Sequence, residues 1–182
     1  FCVVSREQQE AIPNYAKDLG VSSYKFFMNF RGDEGAYLGL PGNDDGFLFD
    51  LLTSCEDAGG MLDPHAENIE LVWRLREAGV IEGNTPLDSW NLNRPDYVEA
   101  DALNRLGFLA RVTGASVYAV HTTSALALDV LRQGKSSYDN IFVESCPHYL
   151  TLDVNSPCGT YGKVTPPLRA ERDREALWKA VA

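Results

Sequence analysis

A chain of 182 residues that is 45% hydrophobic and 23% charged carries enough apolar material for one core, which excludes a disordered polypeptide. A net charge of -10, with no run of Lys or Arg, argues against a nucleic-acid partner. No stretch nears the ~18 consecutive apolar residues of a membrane span, so no membrane partner is expected and the protein is read as cytoplasmic.

The opening run Phe1-Cys2-Val3-Val4 reads as an apolar strand. It has no lead-in, so the natural chain is expected to begin earlier. Ser5 followed by Gln8 has the form of a capping box, and Ile12, Tyr15, Ala16 and Leu19 then recur at helical spacing up to Gly20. Pro13 makes that helix interrupted or late in starting. Tyr24 to Met28 is a short strand-like run, and the Gly- and Asp-rich stretch from Asn29 to Asp45 is long for a connection and therefore a candidate functional loop.

The alternation repeats. Phe47, Leu48, Leu51, Leu52 and Cys55 mark an amphipathic helix ended by Gly59-Gly60, Met61 to His65 is strand-like, and a helix runs through Leu71, Val72 and Leu75 to Gly79. A polar loop with Pro86 leads to a helix with Pro95 in its first turn and a stripe of Val98, Ala102, Leu106, Leu109 and Ala110. Ser116 to His121 is a strand, Ala125 to Leu131 a helix up to Gly134, Ile141 to Glu144 a strand, and a last helix starts near Glu171.

Strands alternating with helices in this way argue for a parallel sheet covered by helices, either an open doubly wound sheet or a barrel. No GxGxxG or P-loop sequence follows a strand, which counts against nucleotide-binding versions. A complete (β/α)8 barrel needs about 250 residues. The five strands expected here would be the middle of one, so residues 1–182 are read as a single incomplete domain.

In such barrels the reacting groups gather at the C-terminal ends of the strands. His65 and His121 both fall at strand ends, each followed by small or polar residues. One strand-end histidine is usually structural, whereas two on successive strands point to a ligand pair. Lys25 sits within an apolar strand, where an ammonium is costly unless it is paired or neutralised. It either faces the polar side of an edge strand or is neutralised chemically, for example as a carbamate. The cysteines, Cys2, Cys55, Cys146 and Cys158, lack CxxC spacing and read as reduced and structural.

Six ordered motifs carry a resemblance across nearly the whole chain. They are Gly20-Val21-Ser22-Ser23-Tyr24-Lys25-Phe26-Phe27-Met28, Pro64-His65-Ala66-Glu67-Asn68, Arg94-Pro95 with Glu99 and Ala102, and Val120-His121-Thr122-Thr123-Ser124. Glu144-Ser145-Cys146-Pro147-His148-Tyr149-Leu150 and Lys163-Val164-Thr165-Pro166-Pro167-Leu168-Arg169 complete the set. In this order the motifs resemble the hydantoinase and dihydropyrimidinase branch of the cyclic amidohydrolases. The resemblance implies a partial (β/α)8 barrel of about strands three to seven. It implies two divalent metal ions, zinc by preference, bridged by carbamylated Lys25, with His65 and His121 as remaining ligands of the second metal. The His-x-His pair and the Asp general base that complete such sites are not in this sequence.

The implied reaction is hydrolysis of a small cyclic amide or ureide of hydantoin or dihydropyrimidine type by the full-length protein, the 182 residues alone being expected to be inactive. Relatives place a Tyr five positions after the lysine as an oxyanion donor, and here that position is Phe30. Losing one such donor can cost about 10² to 10³ in rate. Phe30 therefore keeps dihydroorotase or allantoinase activity open, and some relatives serve only as oligomeric scaffolds. Thr165 is either a substrate-ring contact or simply the end of a strand. His148 is expected to shape the site without ligating, and Cys146 to pack rather than attack. Unpaired strand edges would favour a homo-oligomer.

Overall fold

In the computed structural model, which describes residues 1–37, 39–40, 43–79 and 86–182, helices and parallel strands alternate. Residues 38, 41 and 42 of the candidate loop and residues 80–85 of the polar loop lie outside the described residues. The chain begins with α1 (Arg6–Glu10), α2 (Ile12–Leu19) and β1 (Ser23–Phe27), followed by α3 (Gly32–Tyr37), α4 (Asp45–Asp57) and β2 (Met61–His65). Then come α5 (Ile69–Gly79), α6 (Pro86–Leu92), α7 (Asp96–Thr113), β3 (Ser116–Ala119) and α8 (Ala125–Lys135). The last elements are β4 (Ile141–Val143), α9 (Pro147–Thr151) and α10 (Glu171–Val181).

Among the described residues the sheet has four strands in the order β1-β2-β3-β4, all parallel, and not five. The opening run contributes one bridge, Cys2 to Lys25, held by Val3 N–H to the Lys25 carbonyl at 2.9 Å. It cannot extend further because Ser5 already caps α1, accepting from Gln8 N–H in the expected capping box. Three smaller expectations also change. The loop from Asn29 to Asp45 contains α3. Pro95 is the N-cap of α7, with extended ψ of 165°, and Asp96 is the first helical residue. The strand Ser116–His121 stops at Ala119, two residues before the histidine.

Alternation along the strands divides the sheet into two faces. Tyr24 and Phe26 of β1, Leu62 of β2, Val117 and Ala119 of β3 and Ile141 of β4 are buried against Leu48, Leu51, Leu52 and Cys55 of α4 and Ala102, Leu103, Leu106 and Ala110 of α7. Each fully buried leucine stabilises the fold by about 1.5 to 3 kcal/mol, and truncating one to Ala would cost about 2 to 5 kcal/mol. The opposite face carries Lys25, Phe27, Met61, Asp63 and Tyr118, all only partly buried. An open doubly wound sheet has helices on both faces. Among the described residues only one face has them.

Two local details fix the approach to β2. The turn after α4 uses Gly59 at φ 66°, a left-handed conformation that suits glycine. A Cβ on Gly60 would come within 2.8 Å of the Tyr24 ring, so β1 and the start of β2 can lie this close only with glycine there. Pro64, an unusual residue for a central strand, is tolerated because pairing to β3 ends at Leu62–Val117. The Met61 N–H bonds back to the Ser22 carbonyl, so alternate residues 62 and 64 face β3, and the donor that Pro64 lacks falls beyond that ladder.

Candidate active site

His65 is the last residue of β2 and is 5% exposed. Its Nδ1 lies 3.1 Å from His121 Nε2, and its Nε2 lies 2.7 Å from Glu67 Oε2. The two imidazoles meet edge to face, with ring centroids 4.8 Å apart. Adjacent parallel strands thus bring together two histidines that are 56 positions apart in sequence.

His121 reaches this position through a backbone turn. It is the one non-glycine residue at positive φ, 44°, among the described residues. A side chain with a Cβ in this region stores strain of about 1 to 3 kcal/mol, which persists only where the surroundings enforce it. Here they do. Thr122 N–H donates to the Glu144 carbonyl at 2.8 Å, and the buried Glu99 carboxylate accepts from Thr123 N–H at 2.8 Å, Thr123 Oγ1 at 2.7 Å and Ser124 Oγ at 3.0 Å. Ser124 also caps α8 through Ala127 N–H.

Burial, with smaller contributions from His65 and Lys25, lowers the His121 pKa to about 3. The ring is therefore neutral at physiological pH and carries a free lone pair. Its Nδ1 is buried without a hydrogen-bond partner.

Lys25 lies on the same sheet face, in register with Asp63, two residues before His65. Burial holds its ammonium below the usual lysine range, partly countered by the charges of Asp63, Cys2 and Glu144. Its Nζ stands 5.1 Å from the Phe27 ring centroid. A cavity of about 320 Å³ opens beside His65, with Phe27, Phe30, Trp90, Arg94 and Thr165 in its wall. Phe30 and Thr165 thus share one cavity with a strand-end histidine. Phe30 stacks on Phe27 at 4.4 Å and presents no polar atom.

Four buried charged residues stand behind the histidines and were legible in the sequence only as motif letters. Glu67 is 1% exposed, and its second oxygen, Oε1, lies 3.6 Å from Arg94 Nε. Arg94 stacks on Trp90 at 3.6 Å, and its carbonyl accepts from Arg169 Nη1. Arg169 Nε donates to Thr123 Oγ1 at 2.9 Å, and its Nη2 lies 3.5 Å from Glu99. The loops carrying His65 and His121 are therefore joined by one buried network of two carboxylates and two guanidiniums. The available signal was the presence of charged residues inside otherwise apolar motifs.

The other two candidates stay outside this centre. The His148 ring lies 4.0 Å from that of Tyr149 in α9 and is absent from the cavity wall described above. Burial, together with Glu144, raises the Cys146 thiol pKa, the opposite of an activated nucleophile. All four cysteines are free.

Two imidazole nitrogens facing one another across 3.1 Å, with, on the same face, a lysine whose pKa burial lowers, suit half of a metal centre. They do not make a whole one: among the described residues no three His, Cys, Asp or Glu side chains cluster in a way that could hold a metal ion.

No protein-family model matches the chain. A D-hydantoinase of Ralstonia pickettii is 36% identical over 180 residues, covering 96% of this chain and 37% of the relative. An allantoinase of Deinococcus radiodurans is 32% identical over 165 residues, covering 89% of this chain and 36% of the relative. A solved D-hydantoinase superimposes with a TM-score of 0.88 at 33% identity, over 99% of this chain and 39% of that one. The dihydropyrimidinase of Brevibacillus agri gives a TM-score of 0.87 at 27% identity, again over 99% of this chain and 39% of that one.

Fold and site together define an α/β protein with a parallel sheet of the kind found in the solved cyclic amidohydrolases. Within that class the chain is similar, over nearly its whole length, to hydantoinases and dihydropyrimidinases. It spans just over a third of the length of those relatives.

Proposed function

We propose that this chain supplies half of the two-metal centre of a cyclic amidohydrolase, with Lys25, His65 and His121 as its ligands. The observation that carries this reading is the convergence of His65 Nδ1 and His121 Nε2, 3.1 Å apart, at the ends of adjacent parallel strands. The domain is about strands three to seven of a (β/α)8 barrel. The one-sided covering of the sheet supports this, since a barrel's inner face meets no helix.

When bound, a pair of divalent metals, zinc by preference, supplies a nucleophile from water at neutral pH and polarises the ring carbonyl. The chain's own residues prepare for this. Burial lowers the Lys25 pKa and so favours the free amine, the form that could take up carbon dioxide and, as a carbamate, would help hold the metal ions. His121 is held neutral and offers a lone pair. Phe27, Phe30 and Trp90 supply the apolar part of a cavity wall that also holds Asn29, Glu34 and Arg94, and Thr165 offers a hydroxyl to the substrate ring. The general base is expected to be an Asp contributed by a segment of the whole protein outside these residues.

The substrate is a small cyclic amide of hydantoin or dihydropyrimidine type, opened at a ring C–N bond by the whole protein. The 182 residues alone are expected to be inactive. Phe30 favours a second reading, allantoinase or dihydroorotase chemistry, and the allantoinase relative supports the former. A non-catalytic scaffold would have no use for a buried, converging histidine pair. The unpaired thiols are consistent with a cytoplasmic location.

The test uses a protein of the relatives' full length. Metal analysis should give about two ions per chain, falling in His65→Ala and His121→Ala, and a panel of hydantoin, dihydrouracil, allantoin and dihydroorotate should identify the substrate. Full metal occupancy in both variants, or no turnover of any cyclic ureide by a metal-loaded protein, would sink the proposal.

A further inference from the structure

We infer that Asn29 is a substrate-binding residue whose side-chain amide pairs with the ring edge that is not cleaved, accepting from its N–H and donating to the carbonyl beside it. The inference rests on the cyclic-amide reading above and names a group that recognises the ring. Asn29 follows β1 and lies in the wall of the cavity beside His65. Its backbone is fixed on both sides: Met28 N–H donates to the His65 carbonyl at 3.0 Å, and Arg31 N–H donates to the Asn29 carbonyl at 3.0 Å. The residue is 8% exposed, and its Oδ1 is buried without a hydrogen-bond partner among the described residues. A buried acceptor costs stability when nothing donates to it, and few native side chains are left in that state without a reason.

A cyclic amide supplies the missing partner. In a small ring the N–H and C=O of one amide unit point the same way, and a primary carboxamide carries the complementary pair, so the two meet through two parallel hydrogen bonds. Apart from His65, which the metal reading assigns elsewhere, the other polar groups of the wall cannot do this. Glu34 only accepts and is held by Arg76 at 2.6 Å, Arg94 only donates, and Thr165 has a single side-chain oxygen. Phe30, next in sequence, has no polar side-chain atom. In hydantoin N3 lies between two carbonyls and is the better leaving group. The bond from N3 to C4 therefore opens, and N1–H with the C2 carbonyl remains as the edge for Asn29.

The test is an NMR titration of a protein of the relatives' full length with hydantoin and with 1-methylhydantoin, which lacks the N1–H. Followed on the ligand, binding and ring opening give separate signals. The wild type should bind hydantoin about 10-fold more tightly than the methylated ring, the scale of one or two neutral hydrogen bonds. In Asn29→Ala, which leaves room for the methyl group, hydantoin should bind about 10-fold more weakly and the preference should vanish. Asn29→Leu nearly keeps the volume and removes the unpaired acceptor, so it should lose the same preference while its urea midpoint stays level or rises. That variant also serves if Asn29→Ala fails to fold. No preference in the wild type, a preference kept in a folded variant, or a wild type that binds neither ring overturns the inference. A lower urea midpoint in Asn29→Leu with hydantoin bound as tightly as before makes Asn29 structural and overturns it too. Hydantoin that binds but is never opened counts against the proposed hydrolysis instead, and the affinities still decide for or against Asn29.

Discussion

At the scale of single residues, chemistry was legible wherever a side chain was out of keeping with its neighbours. His65 and His121 stood at strand ends, and Lys25 stood in an apolar run; the structure brings the histidines into contact and sets the lysine on their face of the sheet. What the sequence could not indicate is that Glu67, Arg94, Glu99 and Arg169 share one network, because their partners lie between 2 and 75 positions away and depend on how the strand-end loops turn. Nor does anything local mark His121 for a left-handed backbone, which comes from its neighbours' bonds. Phe30 allows a direct prediction. It lines the cavity beside His65 but offers no donor there, so Phe30→Tyr in a protein of the relatives' full length should raise turnover of a hydantoin by up to about 10²-fold, the scale of one oxyanion donor. Steady-state kinetics on the variant decide this, and an unchanged kcat would mean that the oxyanion is stabilised elsewhere.

Elements were read most reliably where a cap or a periodic stripe defined them. The capping box at Ser5 and the stripes of α4 and α7 are where the sequence put them, whereas the opening strand was overruled by Ser5 itself and α3 arose inside a stretch read as loop. The start of α4 carries a second device. Asp45 in its first turn meets Arg105 of α7 at 2.9 Å and also pairs with Arg31. Burial pushes the Asp45 carboxyl up, but the two guanidiniums more than reverse this and leave it below its ordinary value of 3.8. A carboxyl depressed in the folded state adds stability above its unfolded pKa and loses it as pH falls through the folded one. Asp45→Asn should therefore lower the stability of the chain by about 1 kcal/mol at pH 7, the site being half exposed and screened. The difference should shrink as pH falls below 3.8 and through the lowered folded-state value. Urea melts of both proteins at pH 7 and pH 3 measure it; an equal deficit at both would assign the loss to packing.

For the molecule as a whole, the order of strands and helices was visible in the hydrophobic periods, but which face of the sheet the helices would choose was not, since that depends on side chains meeting across the sheet. The open face and the free edge of β4, where Phe142 and Val143 are 43% and 41% exposed, leave apolar surface and backbone groups uncovered. The 182-residue chain should accordingly self-associate at micromolar concentration, and light scattering coupled to size exclusion tests this, a monodisperse monomer counting against it. The two-faced strands have another consequence, one that concerns inheritance. Tyr24 and Lys25 are chain neighbours, yet one is packed into the core and the other faces the proposed chemistry, and the same holds for Leu62 and Asp63. Substitutions at even and odd positions of one strand therefore act on separate properties, folding on one side and the proposed chemistry on the other. Such a sheet can drift toward new substrates one residue at a time while the positions that keep it folded stay unchanged.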